Sequence, residues 1–345
     1  MQIERKHKVL FDHVWDVAAV RRAFDSARRV VLVAHQNADG DAVGSLTGMY
    51  ALLRELTTAT VTPLLPDGVP DELAWLPNTD CVLSGRTDGA RCREVIAEAD
   101  LVVGLDISNL DRTGVLAESL KASKACKLLV DHHIGPEQLD IVVSEPELSS
   151  TCELVYWLMG EAYGYDIFTP AAAESLYTGL CTDTGNFAYS NTRASLYLAA
   201  ADLSQCGIDP TEVNRKIRNV FTLPRLRFFG HAMAERLKVY DKQQVALMVL
   251  SAREIASFGV SSAELTGLIN EVMKLRDIDC GILVREEEDR VRLSLRSKSH
   301  YDVDALAREL FGGGGHKRAA GATSTLPLDE TVAKVKQQLG LRDEQ

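Results

Sequence analysis

The chain has 345 residues, of which 46% are hydrophobic and 25% charged, and its net charge at pH 7 is −11. This composition is typical of a globular protein with about two domains. The acidic balance argues against a protein that grips long nucleic acid, because such proteins usually neutralise phosphates with a broad basic surface.

Membrane and secretory signals are absent from the sequence. No apolar window approaches the roughly 18 residues that a membrane span needs, and the N-terminus lacks the apolar core of a signal peptide. The seven cysteines are odd in number and form no CxxC pair, which argues against a disulfide framework or a cysteine zinc site. We therefore expect a cytoplasmic protein with free thiols.

Up to about residue 200, short apolar strands alternate with helical patterns. The predicted strands are Val30–Ala34, Thr60–Leu65, Leu101–Leu105, Lys127–Val130 and Ile141–Ser144, and the predicted helices include Asp41–Leu56, Thr151–Ala162 and Ala171–Cys181. This alternation predicts an α/β domain with a parallel sheet covered by helices on both faces. Neither GxGxxG nor GxxxxGK[ST] follows the first strand, so a dinucleotide-binding or P-loop domain loses its main support.

The pattern changes beyond residue 203. Residues 204–229 are polar and have a helical pattern that proline and glycine residues interrupt, and we interpret them as a connector. Further strands are predicted at Arg236–Tyr240, Val245–Leu250, Cys280–Arg285 and Arg290–Leu295. The sequence thus predicts a first domain over 1–203, a helical connector over 204–229, and a smaller α+β domain over 230–345.

Four segments of the first domain carry histidine or aspartate where an element ends. His35, Asp39 and Asp41 follow the first strand, Asp106 follows LVVGL, DHH (131–133) follows KLLV, and Asp183 lies in CTDTGNF. Each alone has an ordinary explanation as a turn, a helix cap or a packed histidine. Together they predict a metal site that the fold assembles at strand ends.

The donor types predict which ions bind. The candidate ligands offer only oxygen and imidazole nitrogen, and they are His35, Asp39, Asp41, Asp106, His132 and Asp183. This set favours manganese, with magnesium or cobalt as alternatives, and leaves zinc open. It exceeds what one catalytic ion with open positions needs, whereas two divalent cations sharing a carboxylate would use it fully.

A second candidate site lies near the C-terminus. In RVRLSLRSK, the cations Arg292, Arg296 and Lys298 fall on one face of a strand and the aliphatic residues on the other. The glycine turn Gly312–Gly315, with His316, is of a kind that lets backbone N–H groups approach a phosphate. The alternatives are a solvated sheet face and a flexible linker. The predicted substrate-binding residues are Arg292, Arg296, Lys298, Gly313, Gly314, Gly315 and His316.

These motifs, in this order, resemble the DHH phosphoesterase family. HxNxDGDxxGS, a strand-end Asp, DHH and TDTG carry the resemblance, and FGGGGHKRAAG (Phe311–Gly321) resembles the signature of the associated DHHA1 domain. One departure is Ala38, where the family usually has proline. The resemblance covers about residues 20 to 335 and implies a DHH catalytic domain, a DHHA1 substrate-binding domain and an active site in the cleft between them.

The resemblance also implies roles for individual residues. One ion would be held by His35, Asp39 and Asp106, and the second by Asp41, Asp106, His132 and Asp183, so that Asp106 bridges the two. Asp131 would orient a neighbouring histidine. His133 would reach the scissile phosphate, to stabilise charge or to assist the leaving group as an acid.

Size and domain content are similar to the nanoRNase branch of the family. That resemblance implies hydrolysis of very short oligoribonucleotides to mononucleotides, and of 3′-phosphoadenosine 5′-phosphate to AMP. The alternatives are a cyclic-dinucleotide or pApA phosphodiesterase, a single-strand DNA exonuclease, and a non-catalytic nucleotide-binding protein. The expected partner is short RNA or a small nucleotide rather than long nucleic acid or a membrane, and a homodimer is left open.

Overall fold

The structure is a computed structural model that describes residues 15–342 apart from 190, 220, 262 and 266. The chain divides into two compact units, Met1–Val220 and Phe221–Gln345. The boundaries predicted above, and the predicted cleft between the domains, stay predictions. Every helix in the described residues is too short or too polar to cross a membrane.

The first unit is built on a sheet of six parallel strands. They are β1 (Arg29–Val33), β2 (Thr60–Leu65), β3 (Leu83–Ser84), β4 (Leu101–Leu105), β5 (Cys126–Asp131) and β6 (Ile141–Ser144). Their order is β3-β2-β1-β4-β5-β6. The chain adds β2 and β3 on one side of β1, then crosses to the other side to add β4, β5 and β6. Loops after β1 and β4 therefore diverge and open a crevice at the carboxyl ends of these strands.

Helices cover both faces of this sheet, as predicted. They are α1 (Val17–Ser26), α2 (Gly40–Leu56), α3 (Gly89–Glu98), α4 (Ala117–Ala122), α5 (Thr151–Tyr163), α6 (Pro170–Asp183), α7 (Ala194–Ser204) and α8 (Pro210–Arg218). Within β1, Val30 and Leu32 pack in the core formed with α2, α5 and α6. Val31 and Val33 pack in a separate core with α3 and α4. The two-residue strand β3 is missing from the prediction because so short a strand has no readable pattern.

The second unit has a mixed six-stranded sheet. Its strands are β7 (Leu237–Tyr240), β8 (Val245–Leu250), β9 (Cys280–Glu286), β10 (Val291–Ser297), β11 (Gly314–His316) and β12 (Ala319–Ser324), in the order β11-β12-β10-β9-β8-β7. Its helices are α9 (Leu223–His231), α10 (Ala252–Ser257), α11 (Leu268–Val272), α12 (Val303–Phe311) and α13 (Leu328–Leu339). Side chains alternate along β10, with Val291, Leu293 and Leu295 buried and Arg292 exposed. The predicted period-two pattern of this strand is confirmed.

The segment after β10 is anchored by one carboxylate. Asp279 accepts hydrogen bonds from Ser299 N (2.7 Å), Ser299 Oγ (2.7 Å), His300 N (2.9 Å) and Tyr301 N (3.1 Å). Burial alone would raise the pKa of Asp279, but these donors favour the ionised form and lower the pKa to about 2.

Asp279 should therefore contribute a pH-dependent part of the stability. A carboxylate whose pKa is lower in the folded state stabilises the fold above its unfolded pKa of about 3.9, and this contribution fades as pH falls toward 2. We expect Asp279→Asn to lower the free energy of unfolding at pH 7 by about 1 kcal/mol. Urea unfolding at pH 7, 4 and 2.5 checks this. A gap between wild type and variant that does not shrink at pH 2.5 would contradict it.

Candidate metal centre

The six predicted ligands come from element ends around the crevice between β1 and β4. His35 follows β1, Asp106 follows β4, and Asp183 is the last residue of α6. Asp39 caps α2, where its Oδ1 accepts from the backbone N–H groups of Asp41 and Ala42, both at 3.1 Å. Asp41 lies in the first turn of α2 and is fully buried.

Their donor atoms converge in three overlapping groups. The groups are His35, Asp39 and Asp106; Asp41, His132 and Asp183; and Asp106, His132 and His133, each with its donor atoms within 4.8 Å of one another. His35 Nε2 lies 3.3 Å from Asp106 Oδ2 and 3.9 Å from Asp39 Oδ1. His132 Nε2 lies 3.5 Å from Asp183 Oδ2, 3.7 Å from Asp106 Oδ1 and 3.9 Å from Asp41 Oδ2. Asp106 thus faces both histidines.

Backbone carbonyls fix the orientation of both imidazole rings. His35 Nδ1 lies 2.8 Å from Gln36 O, and His132 Nδ1 lies 3.4 Å from Leu148 O. Because a carbonyl only accepts hydrogen bonds, Nδ1 carries the proton in each ring, and Nε2 presents its lone pair to the carboxylates. Metal-binding histidines are commonly oriented in this way.

The N-terminus of α5 holds Asp41 and Asp106 from behind. Thr151 N donates to Asp41 Oδ2 at 2.7 Å, and Cys152 N donates to Asp41 Oδ1 at 2.8 Å. The Thr151 hydroxyl donates to Asp106 Oδ1 at 3.1 Å. A Cβ on Gly179 of α6 would lie 2.8 Å from Asp41 Oδ1, so a glycine there lets the helices close around this carboxylate. Sequence reasoning missed these contacts; the only signal was the Ser150-x-x-Glu153 capping pattern.

Asn191 links two of the segments that carry the site. Its Nδ2 donates to Ser149 O at 3.1 Å and to Asp183 O at 3.2 Å. Ser149 directly precedes the capped start of α5, so this amide ties the end of α6 to the start of α5. Nothing in the sequence distinguished Asn191 from other loop asparagines.

The charges of the cluster favour a bound cation. Burial, and then repulsion from Asp41 and Asp39, raises the pKa of Asp106 well above its usual value. Burial and the same neighbours also raise the pKa of Asp183, and burial raises that of Asp41. Ionising several buried carboxylates together is costly unless positive charge balances them. Divalent manganese or magnesium suits this oxygen-rich donor set, so the residues present fit such an ion.

His133 lies edge-on beside His132, with ring centroids 4.8 Å apart, and its ring nitrogens also contact Asp131 and Arg112. Its Nδ1 is 2.8 Å from Asp131 Oδ1, and its Nε2 is 3.2 Å from Arg112 Nη1. Burial alone would lower the pKa of His133, but the hydrogen bond that its Nδ1 donates to Asp131 and the charge of Asp106 raise it. The structure therefore places Asp131 where it orients His133. Sequence reasoning missed Arg112, which lies in the LDRTG segment that follows Asp106.

The predicted substrate-binding residues lie in the second unit. On and after β10, Arg292 is exposed, with Nη1 3.9 Å from Glu287 Oε1, and Arg296 Nη1 donates to Leu295 O at 3.0 Å. Lys298 Nζ donates to the carbonyl oxygen of Leu275. These three contacts are compatible with either a solvated face or a binding face, and substrate binding stays a prediction.

The glycine turn has structural uses of its own. Gly312 ends α12 in the left-handed conformation (φ 65°), and the N–H groups of Gly312 and Gly313 donate to carbonyls of that helix at 2.9 and 3.0 Å. Gly315 N donates to Asp304 Oδ1 at 2.7 Å. Three of the four glycine N–H groups thus have acceptors within the protein. Phosphate binding by this turn stays a prediction, and the side chain of His316 lies outside the described part.

Metal binding should stabilise the protein, because a cation removes the repulsion among these carboxylates. An ion at 100 times its Kd contributes about 2.7 kcal/mol, and for a unit of this size that corresponds to a rise in Tm of about 5 °C or more. Thermal melts of chelator-treated protein with and without added MnCl2 measure this. The Asp106→Ala variant should show a smaller rise. Identical wild-type melts with and without manganese would contradict the prediction.

Comparisons with known proteins agree with this geometry. The model of the DHH family, N-terminal domain, matches residues 29–180, and the DHHA1 domain model matches residues 242–340. The chain is 27% identical over 302 residues to the bifunctional oligoribonuclease and PAP phosphatase NrnA of Bacillus subtilis, covering 85% of this chain and 88% of that protein. It is 24% identical to the cyclic-di-AMP phosphodiesterase PdeA of Listeria monocytogenes, covering 93% of this chain and 48% of that protein.

A solved structure shares the whole architecture. The crystal structure of an exopolyphosphatase-related protein from Bacteroides fragilis has a TM-score of 0.91 and 31% identity, covering 94% of this chain and 95% of that one. The chain, with a DHH domain followed by a DHHA1 domain and a carboxylate–histidine cluster at the carboxyl ends of its parallel strands, belongs to the DHH/DHHA1 family of phosphoesterases, enzymes that hydrolyse phosphoester bonds.

Proposed function

We propose that this protein hydrolyses oligoribonucleotides of about two to five nucleotides to mononucleotides, with two divalent cations, manganese best, as cofactors. The observation that carries the proposal is the convergence of six predicted ligands from both sides of the crevice between β1 and β4. The named activity of the Bacillus relative, which aligns with most of this chain, supports the choice of substrate.

In this proposal the ligand sets are those that the family resemblance implies. His35, Asp39 and Asp106 would hold one cation. Asp41, Asp106, His132 and Asp183 would hold the other. Cations bound there would supply activation of a water and positive charge beside the attacked phosphate.

Further side chains act on the substrate directly. Arg112 and His133 lie side by side and present two cationic or hydrogen-bonding groups to a phosphate ester. Asp131 holds the His133 ring in place by accepting from Nδ1. With Arg112 beside Nε2, the pair stabilises charge on the phosphate. To pass a proton to the departing 3′ or 5′ oxygen, His133 must first take up a proton at Nε2 from solvent, with Arg112 turned from Nε2 to the phosphate.

The second candidate function is hydrolysis of pApA or cyclic di-AMP. The Listeria relative favours it, because its name assigns cyclic-di-AMP hydrolysis to a protein that aligns with 93% of this chain. A panel separates the two: pApA, a five-nucleotide RNA, 3′-phosphoadenosine 5′-phosphate and cyclic di-AMP, compared by kcat/KM with manganese. The oligoribonuclease proposal expects kcat/KM for the five-nucleotide RNA to lie within about tenfold of that for pApA, with cyclic di-AMP at least about tenfold below both. A lead for cyclic di-AMP, or hydrolysis of pApA with the RNA more than about tenfold below it, would overturn the proposal.

Arg296 should distinguish the two ends of the substrate. We propose that it binds the phosphate remote from the cleaved bond, since it is half-buried on the cationic face of β10. Arg296→Ala should then lower kcat/KM for pApA by about tenfold or more. Hydrolysis of bis(p-nitrophenyl) phosphate, which lacks the remote group, should change less than twofold. Arg290→Ala, at the opposite end of β10 and paired with Glu287, is the control for the loss of a cation from this strand. An equal loss on both substrates would show that Arg296 serves the reaction centre or the fold.

A further inference from the structure

A cavity of about 590 Å³ lies in the first unit between α6, the turn that follows it, and α8. Its lining combines aromatic, cationic and amide side chains, contributed by Tyr177, Asn186, Phe187, Asn214, Arg215 and Arg218 among others. None of these is a proposed metal ligand. The volume falls within the range of small-molecule sites, which are built from apolar walls and a few placed polar groups.

Arg218 is one of two arginines that line this cavity, the other being Arg215. With its amide oxygen turned toward Arg218, Asn186 accepts from Nε and Nη2 at 2.7 Å each, and its amide nitrogen donates to Asn214 Oδ1 at 2.7 Å. Within the described residues no carboxylate forms an ion pair with Arg218. Its neighbours on α8 differ, because Arg215 is bound by Glu212 at 2.6 Å and Lys216 by Glu174 at 3.1 Å.

The partner of Arg218, Asn186, is neutral, and this affects what Arg218 can bind. The amide of Asn186 fixes the plane of the guanidinium without cancelling its charge, so Arg218 keeps its capacity to bind an anion. A planar, oriented guanidinium is well suited to a phosphate group. Arg215 and Lys216, by contrast, pair with carboxylates, and their positive charges lie favourably at the C-terminal end of the α8 dipole.

The walls suit a planar ring. Tyr177 is buried, and its ring centroid lies 6.3 Å from that of Phe187, which stacks on Tyr197 at 5.6 Å. Because Tyr197 covers one face of Phe187, the rest of that ring, which lines the cavity, is the surface left to contact a nucleobase. Thr211 also lines the cavity and offers a hydroxyl to the edge of a base. The Asn214 amide is engaged within the protein, because its Nδ2 donates to Pro210 O at 2.8 Å and its Oδ1 accepts from Asn186.

The turn that forms one wall is strained. Gly185, Asn186 and Phe187 have φ values of 54°, 60° and 64°, three consecutive residues in the left-handed region. A bulky residue such as phenylalanine rarely adopts this conformation, and its cost is of order 1 kcal/mol or more. Strain of this kind is concentrated in segments that bind ligands.

We propose that this cavity binds a nucleoside monophosphate, with the phosphate on Arg218 and the base against Tyr177 and Phe187. None of the proposed metal ligands lines this cavity, although the turn that forms one of its walls, residues 185–187, directly follows Asp183 and Thr184. The choice of AMP as probe rests on the proposed function, whose product is a mononucleotide. The anion site itself does not depend on that function.

The test is calorimetric titration of AMP into full-length protein freed of metal with a chelator. Removing metal suppresses binding at the metal centre, and Arg296→Ala removes the proposed remote phosphate contact. Saturable binding of one AMP per chain that persists in metal-free Arg296→Ala reports the cavity. We expect affinity at least about tenfold weaker in Arg218→Gln, which removes the charge. We expect the same in Asn186→Asp, which keeps the shape and the tolerance for positive φ but neutralises Arg218.

Two controls sharpen the result. Lys216→Gln removes one charge from the same helix outside the cavity lining and should bind AMP within twofold of wild type. Adenosine, which lacks the phosphate, should bind wild type at least about tenfold more weakly than AMP. Circular dichroism checks that each variant is folded. No saturable AMP binding by metal-free wild type, or wild-type affinity in folded Arg218→Gln, overturns the proposal. A failure of the proposed function would instead appear as absent hydrolysis, which this titration does not measure.

Discussion

Asp106→Ala is expected to lower kcat/KM for pApA by at least about 10²-fold, the usual loss when a group that carries electrostatic stabilisation is removed. Asp106 is 2% exposed and faces two histidines that are proposed metal ligands, with Oδ2 toward His35 and Oδ1 toward His132. It belongs to two of the three donor groups. Its loss should therefore disturb both proposed cations, whereas loss of any other ligand removes contacts to one.

The matched control for this change is Asp111→Ala. Asp111 lies five residues further along the chain, its side chain is 76% exposed, and it pairs with Lys121 on the surface. An exposed pair of this kind contributes about 1 kcal/mol or less, so activity should stay within about twofold of wild type. Wild-type kcat/KM for folded, manganese-saturated Asp106→Ala would refute the assignment of Asp106 as a shared ligand.

His133→Ala should show which step this histidine serves. We expect kcat for a five-nucleotide RNA to fall by about 10² to 10⁴, the range for loss of a general acid. A leaving alkoxide needs a proton, but p-nitrophenolate does not, so hydrolysis of bis(p-nitrophenyl) phosphate should fall by less than tenfold. Asp131→Asn, which weakens the 2.8 Å contact to His133 Nδ1, should lower kcat for the five-nucleotide RNA by a smaller factor than His133→Ala does.

Two outcomes would contradict the general-acid role of His133. Equal losses on RNA and on bis(p-nitrophenyl) phosphate would mean that His133, beside Arg112, stabilises phosphate charge rather than supplying a proton. An unchanged kcat on RNA in folded His133→Ala would remove His133 from the reaction altogether.

Local patterns account for what the sequence predicted correctly. The runs that became β2, β4 and β6 have the predicted bounds Thr60–Leu65, Leu101–Leu105 and Ile141–Ser144, because short runs rich in apolar and β-branched residues between polar segments mark strands. Of the three, β4 is buried along its whole length. The ligand residues could be singled out because each stands where such a run stops. Their convergence follows from the parallel topology, in which the carboxyl ends of the strands share one edge.

The supporting contacts could not be predicted because they join residues that are distant in sequence. Asp41 is held by N–H groups 110 and 111 residues away, and Asn191 reaches Ser149 across 42 residues. Arg112 was overlooked because its position against His133 depends on the path of the 107–116 segment. The sequence of the glycine turn predicts backbone N–H groups that bind a phosphate. In the structure the N–H groups of Gly312 and Gly313 donate to carbonyls at the end of α12.

The central claim, hydrolysis of short oligoribonucleotides, is tested most directly by kcat/KM for single-stranded RNAs of two, three, five and 24 nucleotides with manganese. With a net charge of −11, the protein should repel long polyanions, which need many phosphate contacts for their affinity. The account predicts release of mononucleotides and a kcat/KM at least about tenfold higher for two to five nucleotides than for 24. Equal or faster cleavage of the 24-nucleotide RNA, or no mononucleotide from any of them, would contradict it.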